Sequence, residues 1–173
     1  LRFVGGAFFF KSRGYQANWT SANMHLILDT YNRATTSIYD TFNFRFAKPK
    51  DIADLCVAVK QVDLDWLEIF KANRDPVLLA MEKEKIVGFE ILSPQGGLFN
   101  SPKQNIGSIG CVGVLSDYRN RGIGREMVMQ GATWLKEQGC TAVELRYVAL
   151  VQWYSKMGFT VSDRQWMGEK QIL

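Results

Sequence analysis

Hydrophobic and polar positions along the chain change period several times, and each stretch of constant period predicts an element. From Phe42 to Phe46 the two alternate as in a half-buried strand, and Pro49 follows where the first turn of a helix tolerates a missing N–H. Ile52, Leu55, Cys56 and Val59 fall at i, i+3, i+4 and i+7, one apolar stripe of a helix. Trp66, Leu67, Ile69 and Phe70 predict a second short helix that ends before Asp75-Pro76, with Asp63 and Asp65 joining the two. Val77 to Met81 and Ile86 to Leu92 are β-rich apolar runs separated by Glu82 to Lys85, which predicts an antiparallel hairpin. Pro94, Gly96 and Gly97 open a loop, and Ile106 to Leu115 predicts the next strand. A helix is expected from about Gly122 to Gln138, with Ile123, Met127, Gly131 and Leu135 aligned every four residues, Val128 and Ala132 beside them, and Gly139 as its stop. Thr141 to Val148 predicts a strand, Ala149 to Met157 a short helix and Phe159 onward a terminal strand or hairpin. Asn18 to Leu28 predicts one more strand ahead of all these.

From Phe42 the order is β-α-α-β-β-β-α-β-α-β, an α+β fold with helices packed on a mixed sheet. A length of 173 residues suits one well-filled core and is too short for two complete domains of usual size.

A composition 47% hydrophobic and 22% charged is that of a soluble globular chain, which removes the disordered and fibrous classes. The net charge of +4 is spread with signs mixed, which suits a small anionic ligand and argues against binding to nucleic acid. No apolar run approaches the ~20 residues that cross a bilayer, so no membrane association is expected. Cys56, Cys111 and Cys140 are distant from one another and odd in number, which reads as reduced, mostly buried thiols of a cytoplasmic protein. The sole histidine, His25, has no Cys or second His beside it, so neither a metal site nor a Cys-His nucleophile pair is expected.

The chemistry has to come from other residues. Val112 to Gly124 places a glycine-containing turn between a buried strand and a long helix, and such a helix start offers unpaired N–H groups and the positive end of its dipole to an anion. Gly122 and Gly124 let a phosphate approach the backbone, and Arg119, Arg121 and Arg125 add donors worth roughly 1.5 to 3 kcal/mol per charge-assisted bond. Neither a Rossmann fingerprint nor a Walker A sequence is present.

Arg119-Asn120-Arg121-Gly122-Ile123-Gly124 resembles the Arg/Gln-x-x-Gly-x-Gly/Ala signature of the GNAT (GCN5-related N-acetyltransferase) superfamily, and Tyr154-Ser155-Lys156-Met157-Gly158-Phe159 resembles its Tyr-x-x-x-Gly-Phe element. The resemblance spans Phe42 to about Leu173. It implies a mostly antiparallel twisted sheet whose central parallel pair is splayed, with acetyl-CoA as cofactor. The amides and side chains from Arg119 to Arg125, with Asn120 and Ile123 among them, would take the pyrophosphate. The backbone of Val112 and Val114 would hold the pantetheine arm and the acyl carbonyl. The implied activity is acetyl transfer to a primary amine of a small molecule or peptide by direct attack in a ternary complex. The Val114 N–H would stabilise the oxyanion, and Tyr154 would protonate the departing thiolate. Trp66, Trp153 and the Asp63/Asp65 pair are candidates for lining the acceptor site.

A lysine-like amine has a pKa of about 10.4, so holding it neutral at pH 7 costs roughly 4.6 kcal/mol and calls for a base. Simple alternation puts Ser108, Gly110, Val112 and Val114 on one face, with no carboxylate among them. Glu90, Glu144 and a water chain ending at Asp63 or Asp65 are the alternatives. Where many relatives carry an Asn that contacts pantetheine, this chain has Tyr147. These departures keep a second class open, a non-catalytic module that binds acyl-CoA or a partner.

Phe10-Lys11-Ser12-Arg13-Gly14-Tyr15 repeats the shape of the second motif 144 residues earlier (158 less 14), and it too is followed by a Trp and a Met. Together with the missing initiator Met this predicts that residues 1–36 are the tail of a preceding homologous repeat and that 37–173 form the GNAT domain. Phe10 would stand where the acid Tyr stands. An unrelated N-terminal extension, or a homodimer partner, is the alternative.

Overall fold

The computed structural model describes residues 9–32, 41–98, 100, 101 and 104–171. In chain order its elements are β1 (Gln16–Ile27), β2 (Asn43–Phe46), α1 (Ile52–Val62), α2 (Trp66–Ala72), β3 (Val77–Glu82), β4 (Lys85–Ser93), β5 (Ile106–Val114), α3 (Ile123–Glu137), β6 (Ala142–Val148), α4 (Val151–Ser155) and β7 (Thr160–Glu169). They fall into two compact units, one within residues 26–144 and one of residues 9–25 with 145–171.

In the larger unit the strand order is β2-β3-β4-β5-β6. All neighbours are antiparallel except β5 and β6, which are parallel. The smaller unit contains the end of β6, then β1, then β7, with β1 and β7 antiparallel. Seven strands thus form a mixed, mostly antiparallel sheet with one parallel pair and flanking helices, as the changes of period predicted.

Residues Val77 to Met81 of β3 are all buried, because helices cover both faces of the sheet. On one face Leu55, Ala58 and Val59 of α1 and Phe70 of α2 close over Leu79 and Phe89. The other face takes the apolar stripe of α3, whose Ile123, Met127, Val128, Gly131, Ala132 and Leu135 are all buried as expected. The α1 stripe differs from its prediction at one end. Ile52 is 52% exposed, because the first turn of α1 borders a groove instead of the sheet, and Ala58 completes the buried row. Ile69 of α2 likewise faces solvent.

Entry into α1 is fixed by charge. Arg45 holds Asp51 through two bonds of 2.7 and 3.0 Å, and Asp51 also accepts from the Lys48 N–H at 2.7 Å. Those bonds to the ionised form hold the Asp51 carboxyl well below the usual range.

Candidate active site

A bulge interrupts β5. β4 pairs with it at Phe89↔Gly113 and next at Ile91↔Gly110, so Glu90 faces two residues, Cys111 and Val112. Cys111 adopts a left-handed φ of 49° there. The extra residue exchanges the faces of the strand. A Cβ at Gly107 would meet Leu135 of α3, whereas past the bulge Cys111 packs with the Phe89 cluster and a Cβ at Gly113 would meet the Phe89 ring. Ser108, Gly110, Val112 and Val114 therefore do not share one face, which corrects the reading by simple alternation. No carboxylate stands on either face of the strand.

The parallel ladder to β6 has three pairs, Ile106↔Ala142, Gly107↔Val143 and Ser108↔Glu144. Beyond Ser108, β4 is the only ladder partner of β5 in the larger unit among the described residues. One backbone edge of the bulged segment is thus left without a strand in that unit.

After β5 a single 3-10 turn, Ser116–Tyr118, leads to Asn120 and Gly122, both left-handed with φ of 63° and 81°. Alternation of this kind curls the chain so that successive N–H groups converge. Gly122 caps α3 without any side-chain bond, and the Glu126 N–H is the first to close on the helix, 2.9 Å from the Gly122 oxygen. The amides of Ile123, Gly124 and Arg125 are the donors that such a start leaves over. An uncapped start of this kind offers the N–H donors that a diphosphate would need.

Arg119 Nε donates to the Val114 carbonyl at 3.1 Å. Arg121 lies over the Tyr118 ring at 5.1 Å and 3.9 Å from Glu82, which also accepts from the Tyr118 hydroxyl at 2.8 Å. Its guanidinium is half-exposed and rests against these neighbours. Arg125 is exposed.

Among the base candidates, Glu90 is fully buried on the α3 side, where a Cβ on Gly131 would collide with its carboxyl. Among the described residues neither oxygen has a hydrogen-bond partner, and burial pushes its pKa well above the usual 4.5. Fully buried beneath α3, Glu90 is not open to an amine arriving from solvent. The same burial makes a prediction. The folded state binds the carboxyl proton more tightly than the unfolded chain, so the contribution of Glu90 to stability is fully present below about pH 4.5 and is lost as pH rises toward the folded pKa. Glu90→Gln should remove that decline in thermal melts; parallel pH profiles for the two proteins would contradict it.

Glu144 is buried and accepts from the Leu98 N–H at 3.0 Å, which ties down the loop before β5. Asp63, at the corner between α1 and α2, accepts from the Asp65 N–H at 2.9 Å, and its charge reaches the Cys111 thiol at the bulge. Burial first and Asp63 second push that thiol up to about 11, so it stays protonated. In the smaller unit Tyr154 lies on α4, its ring edge-on to Trp153 at 4.6 Å and to Phe159 at 5.9 Å. Tyr147 has an exposed ring and a left-handed φ of 56°, and its N–H donates to the Asn23 side chain at 3.1 Å.

A profile described as the Acetyltransferase (GNAT) family matches residues 35–159, the segment that holds the bulged strand, the uncapped helix start and Tyr154. The chain belongs to the GNAT acetyltransferase family. Among solved structures, the glucosamine N-acetyltransferase region of a fungal multi-domain GH3 β-N-acetylglucosaminidase superposes with a TM-score of 0.83 at 20% identity, covering 94% of this chain and 22% of that one. A GCN5-related N-acetyltransferase from Sphaerobacter thermophilus gives 0.74 at 22%, covering 94% and 54%. AAC(6')-Iy, in complex with the bisubstrate analogue CoA-S-monomethyl-acetylneamine, gives 0.57 at 18%, covering 76% and 99%. At these identities the likeness establishes the GNAT fold, and this chain spans about a fifth and about half of the first two proteins. No curated protein matches it. Among the described residues no helix is long and apolar enough to cross a membrane, and no cluster of His, Cys, Asp and Glu could hold a metal ion.

Proposed function

We propose that this GNAT domain transfers an acetyl group from acetyl-CoA to a primary amine by direct attack. The observation that carries the reading is the start of α3, where uncapped amides follow a left-handed turn inside the segment matched to the family. The amides from Arg119 to Gly124 hold the diphosphate with help from Arg125, and the backbone of Val112 and Val114 holds the pantetheine arm and the acyl carbonyl. Acetyl-CoA, when bound, presents its acyl group as a thioester open to a neutral amine. The Val114 N–H donates to the carbonyl oxygen as it gains charge. The Tyr154 hydroxyl supplies the proton that the leaving thiolate needs. Asp63, through water, takes the proton from the amine, since its charge already reaches the bulge.

Cys111 stands at that bulge, but its thiol is held protonated and is a poor nucleophile, which favours direct transfer over an acyl-cysteine route. An amine acceptor agrees with the bisubstrate analogue CoA-S-monomethyl-acetylneamine bound to AAC(6')-Iy and with the glucosamine N-acetyltransferase description of the fungal region. The three cysteines are free thiols, which suits the reducing cytoplasm.

At a concentration 100 times its Kd, CoA should stabilise the fold by about 2.7 kcal/mol. Pantetheine, which lacks the diphosphate, should do far less. Gly122→Val, which forces a branched side chain into the left-handed cap, should abolish the CoA effect at an intrinsic cost of roughly 1–2 kcal/mol. A Gly122→Val protein stabilised by CoA as well as the parent would remove the diphosphate from this turn. The second reading, a non-catalytic acyl-CoA-binding module, is favoured by the strand without a carboxylate and by Tyr147. It predicts no release of free thiol above background when acetyl-CoA is offered a range of amines.

A further inference from the structure

The surroundings of Gly14 and Gly158 are duplicated. Both glycines are left-handed, with φ of 84° and 93°. Phe10 O accepts from the Arg13 N–H and Lys11 O from the Gly14 N–H, each at 3.0 Å; Tyr154 O accepts from the Met157 N–H at 2.9 Å and Ser155 O from the Gly158 N–H at 3.1 Å. The rings repeat as well. Phe10 meets Phe9 edge-on at 5.4 Å and Tyr15 at 5.5 Å, just as Tyr154 meets Trp153 and Phe159. Each glycine then delivers the chain into a strand, β1 in one case and β7 in the other.

The pairing of those two strands is itself symmetric. Shifted by 144 positions, Gln16 corresponds to Thr160 and His25 to Glu169, and the ladder contains both Gln16↔Glu169 and His25↔Thr160. Ala17↔Gly168 has its mate in Met24↔Val161, Trp19↔Met167 in Asn23↔Asp163, and Thr20↔Trp166 in Ala22↔Arg164. Ser21↔Gln165 is its own mate. The bulges obey the same operation, since one leaves out Asn18 and the other Ser162. A local two-fold axis therefore passes beside Ser21 and Gln165, the arrangement of an isologous contact between two copies of one structure. Two unrelated strands would have no reason to bulge at equivalent places about such an axis.

We propose that residues 9–27 are the end of a first domain homologous to the second, and that the two domains exchange their last strands. β1 lies between β6 and β7. The two-fold operation turns that order into β7 lying between β1 and the first domain's counterpart of β6. The outer edge of β7, ten residues long and without a strand beside it among the described residues, is then the surface that this counterpart pairs with. Edges of that length are ones that proteins cover or blunt. Phe10 occupies the place of Tyr154 and has no hydroxyl, so, resting on the reading of Tyr154 as the acid, the first domain lacks that acid.

Intact mass, sequencing and amide hydrogen exchange on the natural full-length polypeptide test the proposal together. A homologous domain ahead of residue 9 is expected, with protection of all successive amides of 160–169. Exchange at the unprotected rate by every second amide of that strand would overturn the docking edge. A polypeptide with no such domain would overturn the duplication, and protection of β7 in that polypeptide would assign the edge to a second copy of the chain instead. None of these readouts depends on activity, so failure here and failure of the acetyltransferase reading are separable.

Discussion

Tyr154→Phe is expected to lower turnover by about 10²–10⁴-fold, the usual contribution of a positioned general acid. The variant removes one oxygen and keeps the ring that meets Trp153 and Phe159, so the fold around α4 should survive. Release of free thiol from acetyl-CoA in the presence of a competent amine measures the loss, and thermal stabilisation by CoA in the same variant checks that the ligand still binds. A drop in kcat with the CoA effect intact is the signature of a group that acts on the departing thiolate. Turnover equal to that of the parent would take Tyr154 out of the reaction and leave its ring as packing for the last helix.

Much of this architecture is readable from periodicity, because most elements bury one face and the burial imposes a period. The 3.6-residue stripe of α3 and the apolar runs of β3 and β4 are cases in point. The turn before α3 is legible for a different reason: Gly122 marks a left-handed backbone at the helix start. The bulge at Cys111 and Val112 leaves no such mark. A single extra residue in a strand already rich in Gly and Val keeps its composition while it exchanges the faces, so alternation assigned Val112 and Val114 wrongly. The contacts of Arg121 with Tyr118 and Glu82 leave no mark in the sequence, because these residues are close in space but are not spaced along one element. Nothing in the sequence around Glu90 marks that α3, held near by Gly131, lies over it.

Phe89→Ala should cost about 3–5 kcal/mol of stability in urea or guanidinium unfolding, the range for emptying a fully buried aromatic site. Phe89 is fully buried, edge-on to Trp66 at 6.5 Å and to Phe70 at 5.1 Å, so its loss would open a cavity between β4 and the α1/α2 layer. It also abuts β5 directly, since a Cβ added to Gly113 would come within 2.4 Å of its ring. That contact makes the glycine obligatory one residue beyond the bulge and links core packing to the strand proposed to hold the acyl group. A double-mutant cycle isolates the link: Gly113→Ala should destabilise the parent and do so much less in the Phe89→Ala background, a coupling of roughly 0.5–3 kcal/mol. Additive effects would mean that Phe89 stabilises the fold without setting the path of β5, and acetyl transfer by a folded Phe89→Ala protein should then proceed as in the parent.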